Sequence, residues 1–117
     1  MSLILFHNPR CSKSRETLVL LEQRHIHPKI ELYLQNTYTP AELQHLADKL
    51  GISDVRQMMR TKDALYDELG LDNPNLSQEA LLQAISQHSS LLERPIFING
   101  NKAKIGRPPE SVLAILD

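Results

Sequence analysis

Apolar positions run continuously at the two ends of the chain and recur at helical spacing in the middle. Leu3-Ile4-Leu5-Phe6 is an unbroken apolar run, too short for a helix and stopped by His7-Asn8-Pro9, so it predicts a buried strand. Pro9 lacks an N–H and holds Asn8 extended, which turns the strand end into a loop. From Ser12 a helix is expected, with Thr17, Leu18, Leu21 and His25 on one face and Val19 and Leu20 widening the stripe. Lys29 to Leu34 alternates well enough for a second strand, which makes the start a β-α-β unit, right-handed if its strands are parallel.

Helical spacing then takes over. Thr39-Pro40-Ala41-Glu42 is a capping box with proline at the first helical position; Leu43, Leu46, Ala47 and Leu50 form the stripe and Gly51 stops it. Ser53 is placed to cap a short helix carrying Val55, Met58 and Met59. Thr61 is placed to cap another through Leu65 and Leu69, ended by Gly70. After the Asp72–Asn75 loop, Ser77 caps a helix with Ala80, Leu81, Ala84, Ile85 and His88. Strand patterning returns at Pro95–Ile98 and Lys102–Ile105, and Asn99-Gly100 between them is a hairpin signal. Gly106-Arg107-Pro108-Pro109 breaks the second strand, and Pro109 opens a last helix with Val112, Leu113 and Leu116 inward. The predicted order is β-α-β, a block of helices over about 39–89, then β-β-α, all within one domain spanning 1–117.

Composition narrows the function. The 117 residues are 41% apolar, enough for one core, and the net charge of -1 argues against general nucleic-acid or membrane-surface binding. No apolar run approaches the ~20 residues of a membrane span, and the first apolar run is too short for a signal-peptide core. The single cysteine, Cys11, excludes an internal disulfide and points to a cytoplasmic protein with either an inert buried thiol or a reactive one. Its place favours reactivity. A helix N-terminus carries unpaired N–H groups and about half a positive charge, which depresses a thiol pKa. His7, Arg10, Lys13 and Arg15 surround it in sequence. Three positions on stands Ser14, so the motif is C-x-x-S and any resolving thiol must come from outside. His25, His27, His45 and His88 show no ligand-like clustering, so no metal site is expected.

HNPRCSKSRETL at 7–18, Met58-Met59-Arg60-Thr61-Lys62, Glu93-Arg94-Pro95-Ile96 and Gly106-Arg107-Pro108-Pro109 together resemble the glutathione/glutaredoxin-linked arsenate reductase family. The resemblance spans essentially the whole chain. It implies an α/β thioredoxin-like fold with a helical insertion, and reduction of arsenate to arsenite, an arsenic-detoxification activity, with glutathione as co-substrate, glutaredoxin as partner and no bound cofactor. By the same resemblance Cys11 is the redox-active nucleophile, and Arg60, Arg94 and Arg107 surround the oxyanion. His7 and Ser14 help stabilise the thiolate, and Pro95 is the cis-proline beside it. Two features depart from the family's best-known members: Ser12-Lys13 stands where they have Gly-Thr, and the chain ends sooner after the last helix. Two other functions are compatible with the scaffold. One is a glutathione-dependent thiol/disulfide reductase. The other is a non-enzymatic protein-binding regulator, whose redox-switching form uses C-x-x-C and is disfavoured by Ser14.

Overall fold

In the computed structural model, which describes residues 2–116, four strands form one mixed sheet. Met1 and Asp117, the ends of the expected domain, lie outside the described residues. The strands are β1 (Leu3–Phe6), β2 (Lys29–Glu31), β3 (Ile96–Asn99) and β4 (Lys102–Ile105), in the spatial order β2-β1-β3-β4. β1 pairs parallel with β2 and antiparallel with β3, and β3 pairs antiparallel with β4. α1 (Ser12–Gln23) is the crossover between the parallel pair. α2 (Pro40–Leu50), α3 (Ala64–Glu68) and α4 (Gln78–Gln87) form the insertion between β2 and β3. This is the thioredoxin-like fold with a helical insertion.

The two central strands are apolar on both faces because both faces are covered. Leu5 and Phe97 pack with Leu21 of α1 and with Val112 and Ile115 near the C-terminus. Phe6, Ile96 and Ile98 face the other way, onto Tyr33, Tyr38 and the apolar stripes of α2 and α4. Burying each such side chain contributes on the order of 1.5–3 kcal/mol.

Several local expectations shift in the structure. The strand expected to reach Leu34 ends at Glu31, and a 3₁₀ turn over Tyr33–Gln35 follows. The turn carries Tyr33 into the core, where its ring stacks on Phe6 with centroids 6.2 Å apart. His25 does not continue the α1 stripe. It has left the helix at φ 62 and is exposed, and Val19 is 50% exposed. The Thr39 capping box forms as expected, with Gly51 left-handed at the far end. The next two caps are Asp54 and Asp63 rather than Ser53 and Thr61; each carboxylate accepts an N–H two residues on. In the hairpin Asn99 pairs with Lys102, so Gly100 and Asn101 make the turn, with φ 62 at Gly100. The last helix, Pro109–Ile115, is 3₁₀, and its three-residue period buries Pro109, Val112 and Ile115 rather than Val112, Leu113 and Leu116.

Candidate active site

Cys11 is the N-cap residue of α1, its backbone extended, the residue 8% exposed. Its carbonyl accepts from Arg15 N–H at 3.0 Å, which starts the helix, and its own N–H donates to Asn8 O at 3.0 Å, which closes the preceding turn. The sulfur makes no capping bond of ordinary geometry, yet the amides of the first helical turn act on it. Burial pushes the thiol pKa up. The Ser14 amide, the Arg94 guanidinium and the Lys13 amide together outweigh burial, and the pKa lies below its ordinary value.

The cations adjacent in sequence are not the ones this sulfur faces. Lys13 pairs with Glu16 at 3.6 Å, and Arg15 donates to the Pro9 carbonyl at 2.9 Å. The sulfur's charged neighbours arrive from the far end of the chain. Arg107 Nη2 lies 3.8 Å from Sγ, and Arg94 is the side chain whose charge and hydrogen bonding favour the thiolate.

His7 and Ser14 are both buried and bonded to each other, with 2.6 Å between His7 Nδ1 and Ser14 Oγ. Burial, and then the charge of Arg15, lower the His7 pKa, so the ring is neutral at pH 7 rather than a cation beside the thiol. Ser14 Oγ also accepts from the Asn8 N–H at 3.0 Å. This pair fixes the loop between β1 and α1. The Ser14 group that acts on the sulfur is its backbone N–H.

Pro95 follows Arg94 through a cis peptide, and its carbonyl accepts from Gly106 N–H at 2.9 Å. A second cis peptide, Arg107–Pro108, lies on the neighbouring loop and was not expected. Gly106 is required by close approach: a Cβ there would lie 2.6 Å from Thr17 Oγ1 and 2.8 Å from Pro95 Cγ. The contact locks α1, the Pro95 segment and the Arg107 loop together.

Arg60 is delivered by the helical insertion. Met59 bridges Leu92 in antiparallel sense, Arg60 N–H donates to Leu91 O at 2.8 Å, and Glu93 N–H donates to Met58 O at 2.8 Å. Residues 58–60 thus run alongside 91–93. Arg60 and Arg107 line one cavity of about 330 Å³ with Asp63 and Glu93. Each of the two arginines holds a carboxylate: Arg60 Nη1 is 2.8 Å from Asp63 Oδ2, and Arg107 Nε is 3.2 Å from Glu93 Oε1. Asp63 carries no motif in the sequence, and Glu93 stands there only as the first residue of the Glu93–Ile96 motif, with no role attached. Arg56 provides a contrast. Its guanidinium is occupied by the Leu71 and Asn73 carbonyls and the Tyr66 hydroxyl, a structural role that holds the α3 loop.

The site also contains a residue that the sequence did not reveal. Tyr33 is fully buried, and its hydroxyl feels the charges of Arg94, Arg60 and Cys11. In the sequence it is one aromatic in an alternating run, with no motif to mark it.

A thioredoxin-like sheet with one thiol of lowered pKa at a helix start, and arginines brought near it from distant segments, is an arrangement suited to thiol chemistry. Comparison with known proteins narrows the class. The ArsC family model matches residues 6–115, and the chain belongs to that family. It is 69% identical to the arsenate reductase of Haemophilus influenzae, across 99% of this chain and 100% of that protein. It is 54% identical to the arsenate reductase of Neisseria meningitidis serogroup B, across 96% of both chains. The structure of an arsenate reductase from Vibrio cholerae superposes with TM-score 0.96 at 49% identity, covering 99% of this chain and 98% of that one.

Proposed function

We propose that this chain reduces arsenate to arsenite in the cytoplasm, with Cys11 as nucleophile and glutathione and a glutaredoxin as external thiols. The observation that carries this reading is the pairing of Cys11 Sγ with Arg107 Nη2 at 3.8 Å and with the Arg94 charge, beside a cavity edged by Arg60. A tetrahedral oxyanion is held by several guanidinium groups, each charge-assisted contact contributing ~1.5–3 kcal/mol. The relatives named arsenate reductase support the same substrate.

The chemistry follows from the residues. The Cys11 thiolate attacks arsenic(V); an As–S bond forms, an As–O bond breaks, and the oxygen leaves as water with protons drawn from solvent or the bound acid. Arg60, Arg94 and Arg107 offset the charge on the remaining oxygens. Reduction to arsenic(III) takes two electrons, which one cysteine cannot supply as a disulfide of its own. Ser14 occupies the position where a second thiol would resolve the adduct. Glutathione and glutaredoxin therefore supply one thiol each and end as a mixed disulfide; water then cleaves the remaining As(III)–S bond, releasing arsenite and returning Cys11 as thiol. No bound cofactor takes part.

One observation favours a second reading. Arg60 and Arg107 already hold carboxylates, from Asp63 and Glu93. The carboxylates of a glutathione mixed disulfide have the same chemistry, so a thiol/disulfide reductase acting on glutathionylated substrates is the alternative. A coupled assay separates the two. Arsenate-dependent turnover that needs both glutathione and glutaredoxin supports arsenate reduction. Turnover of a glutathione mixed disulfide without any effect of arsenate supports the alternative.

A further inference from the structure

Among the described residues, two buried side-chain groups near Cys11 have no hydrogen-bond partner: the Tyr33 hydroxyl and Arg94 Nε. A third such atom, Asn99 Oδ1, belongs to a side chain whose amide donates to the Ile115 carbonyl at the C-terminal 3₁₀ helix. The Tyr33 and Arg94 orphans share the surroundings of Cys11. Tyr33 feels the charges of Arg94, Arg60 and Cys11. An unpaired buried hydroxyl or guanidinium N–H costs on the order of 1–3 kcal/mol, so two together at one place call for a ligand that fills both. The arginines decide its sign. The ligand is an anion with oxygens on more than one side.

We propose that Tyr33 is a substrate-contacting residue, its hydroxyl donating a hydrogen bond to an oxygen of the tetrahedral oxyanion held beside Cys11 while Arg94 Nε closes the floor of the same subsite. This rests on the oxyanion reading given above. Tyr33 is suited to such a role because its position is fixed. The residue is fully buried, it sits in the 3₁₀ turn directly after β2, and its ring stacks on Phe6, the residue before His7. The packing fixes the ring, and because the hydroxyl is closed to solvent the oxyanion reaches it only when the site opens beside it. Burial raises the tyrosine pKa, and although Arg94 and Arg60 pull it down the net shift is upward. The hydroxyl therefore stays protonated and acts as a donor rather than as the acid that gives up its proton.

Tyr33→Phe keeps the ring and its stacking and removes only the orphan hydroxyl. Arsenate binding to the reduced full chain, measured calorimetrically without glutathione, is expected to weaken roughly tenfold. The thermal midpoint is expected to hold or rise, since an unsatisfied buried group is gone. Wild-type binding that Tyr33→Phe leaves unchanged overturns the role of Tyr33 and leaves the arginine pocket standing. Absence of arsenate binding to the wild type overturns both. A crystal of unmutated protein soaked in arsenate provides a readout independent of the variant's folding: Tyr33 Oη is expected within hydrogen-bond distance of an arsenate oxygen. Arsenate bound beside Cys11 with that distance beyond one hydrogen bond overturns the assignment.

Discussion

Arg107 Nη2 lies 3.8 Å from Cys11 Sγ, a contact between residues 96 positions apart in the chain. The same guanidinium reaches back through Nε to Glu93 Oε1 at 3.2 Å and to the Arg94 carbonyl at 2.8 Å. One arginine thus ties the thiol to the segment that carries the second thiol-facing arginine. Its loop is placed by the Gly106–Pro95 contact.

The first consequence concerns pH. Burial opposes the Cys11 thiolate, but the Ser14 amide and Arg94 overcome it, so the folded pKa is lower than the unfolded one. A depressed pKa contributes stability that is fully present above the unfolded thiol pKa and is lost as pH falls through the folded pKa. Wild type is therefore expected to gain stability relative to Cys11→Ser as pH rises through that window, read by urea unfolding across pH. Iodoacetamide alkylation should reach half-maximal rate below the pH of a free thiol, and Arg94→Ala should move that midpoint upward. An unchanged midpoint in Arg94→Ala would show that the helix start alone activates the thiol.

Glu93 competes for Arg107. Replacing it by Gln removes the charge and keeps an acceptor for the Arg94 N–H, which approaches Glu93 Oε1 at 3.3 Å. Because the Arg107–Glu93 pair is partly exposed, its worth is small, about 0.5–1 kcal/mol. Glu93→Gln is expected to tighten oxyanion binding roughly two- to fivefold and to lower the Cys11 pKa further. Titration calorimetry and the alkylation profile measure the two effects.

Arg60 enters the site from the insertion, held by its backbone bond to Leu91 O. Arg60→Ala is expected to lower kcat/KM for arsenate by about 10- to 100-fold, the loss of one charge-assisted contact. Arg60→Lys should recover only part of this, since an ammonium lacks the planar fork. The Cys11 alkylation midpoint should barely move, because Arg94 and Arg107 act on the sulfur and Arg60 pairs with Asp63.

Gly106→Ala tests the packing that positions these groups. Its Cβ would meet Thr17 Oγ1 at 2.6 Å and Pro95 Cγ at 2.8 Å, so α1 or the Pro95 loop must move. A loss of about 1–3 kcal/mol in urea unfolding is expected, together with lower activity. Full retention of both would mean the three segments are less tightly coupled than their separations indicate.

Much of the fold was legible because its determinants are local. The apolar run Leu3–Phe6, the Thr39 capping box and the paired runs of the hairpin each carry their instruction within a few residues. Local patterning misleads where two local solutions compete. Ser53 and Thr61 are fair caps, but Asp54 and Asp63 bond the first-turn amides instead. Lys29 to Leu34 alternates like a strand, yet burying Tyr33 against Phe6 turns the chain after Glu31. The reactive position of Cys11 could be read locally, although the basic residues beside it were the wrong explanation. Its real cations come from 94 and 107, and only the family resemblance singled those positions out. Asp63 and Tyr33 had no sequence signal, and Glu93 appeared only within a motif that gave it no role, because their significance is a distance or a missing partner, which exists only once the chain has folded.

The most direct test is an arsenate-soaked crystal read by anomalous scattering at the arsenic edge. Arsenic is expected bonded to Cys11 Sγ, its oxygens among Arg60, Arg94 and Arg107. Density that leaves Cys11 bare, with arsenic absent or seated away from those arginines, would contradict the assignment of Cys11 as the nucleophile toward arsenate.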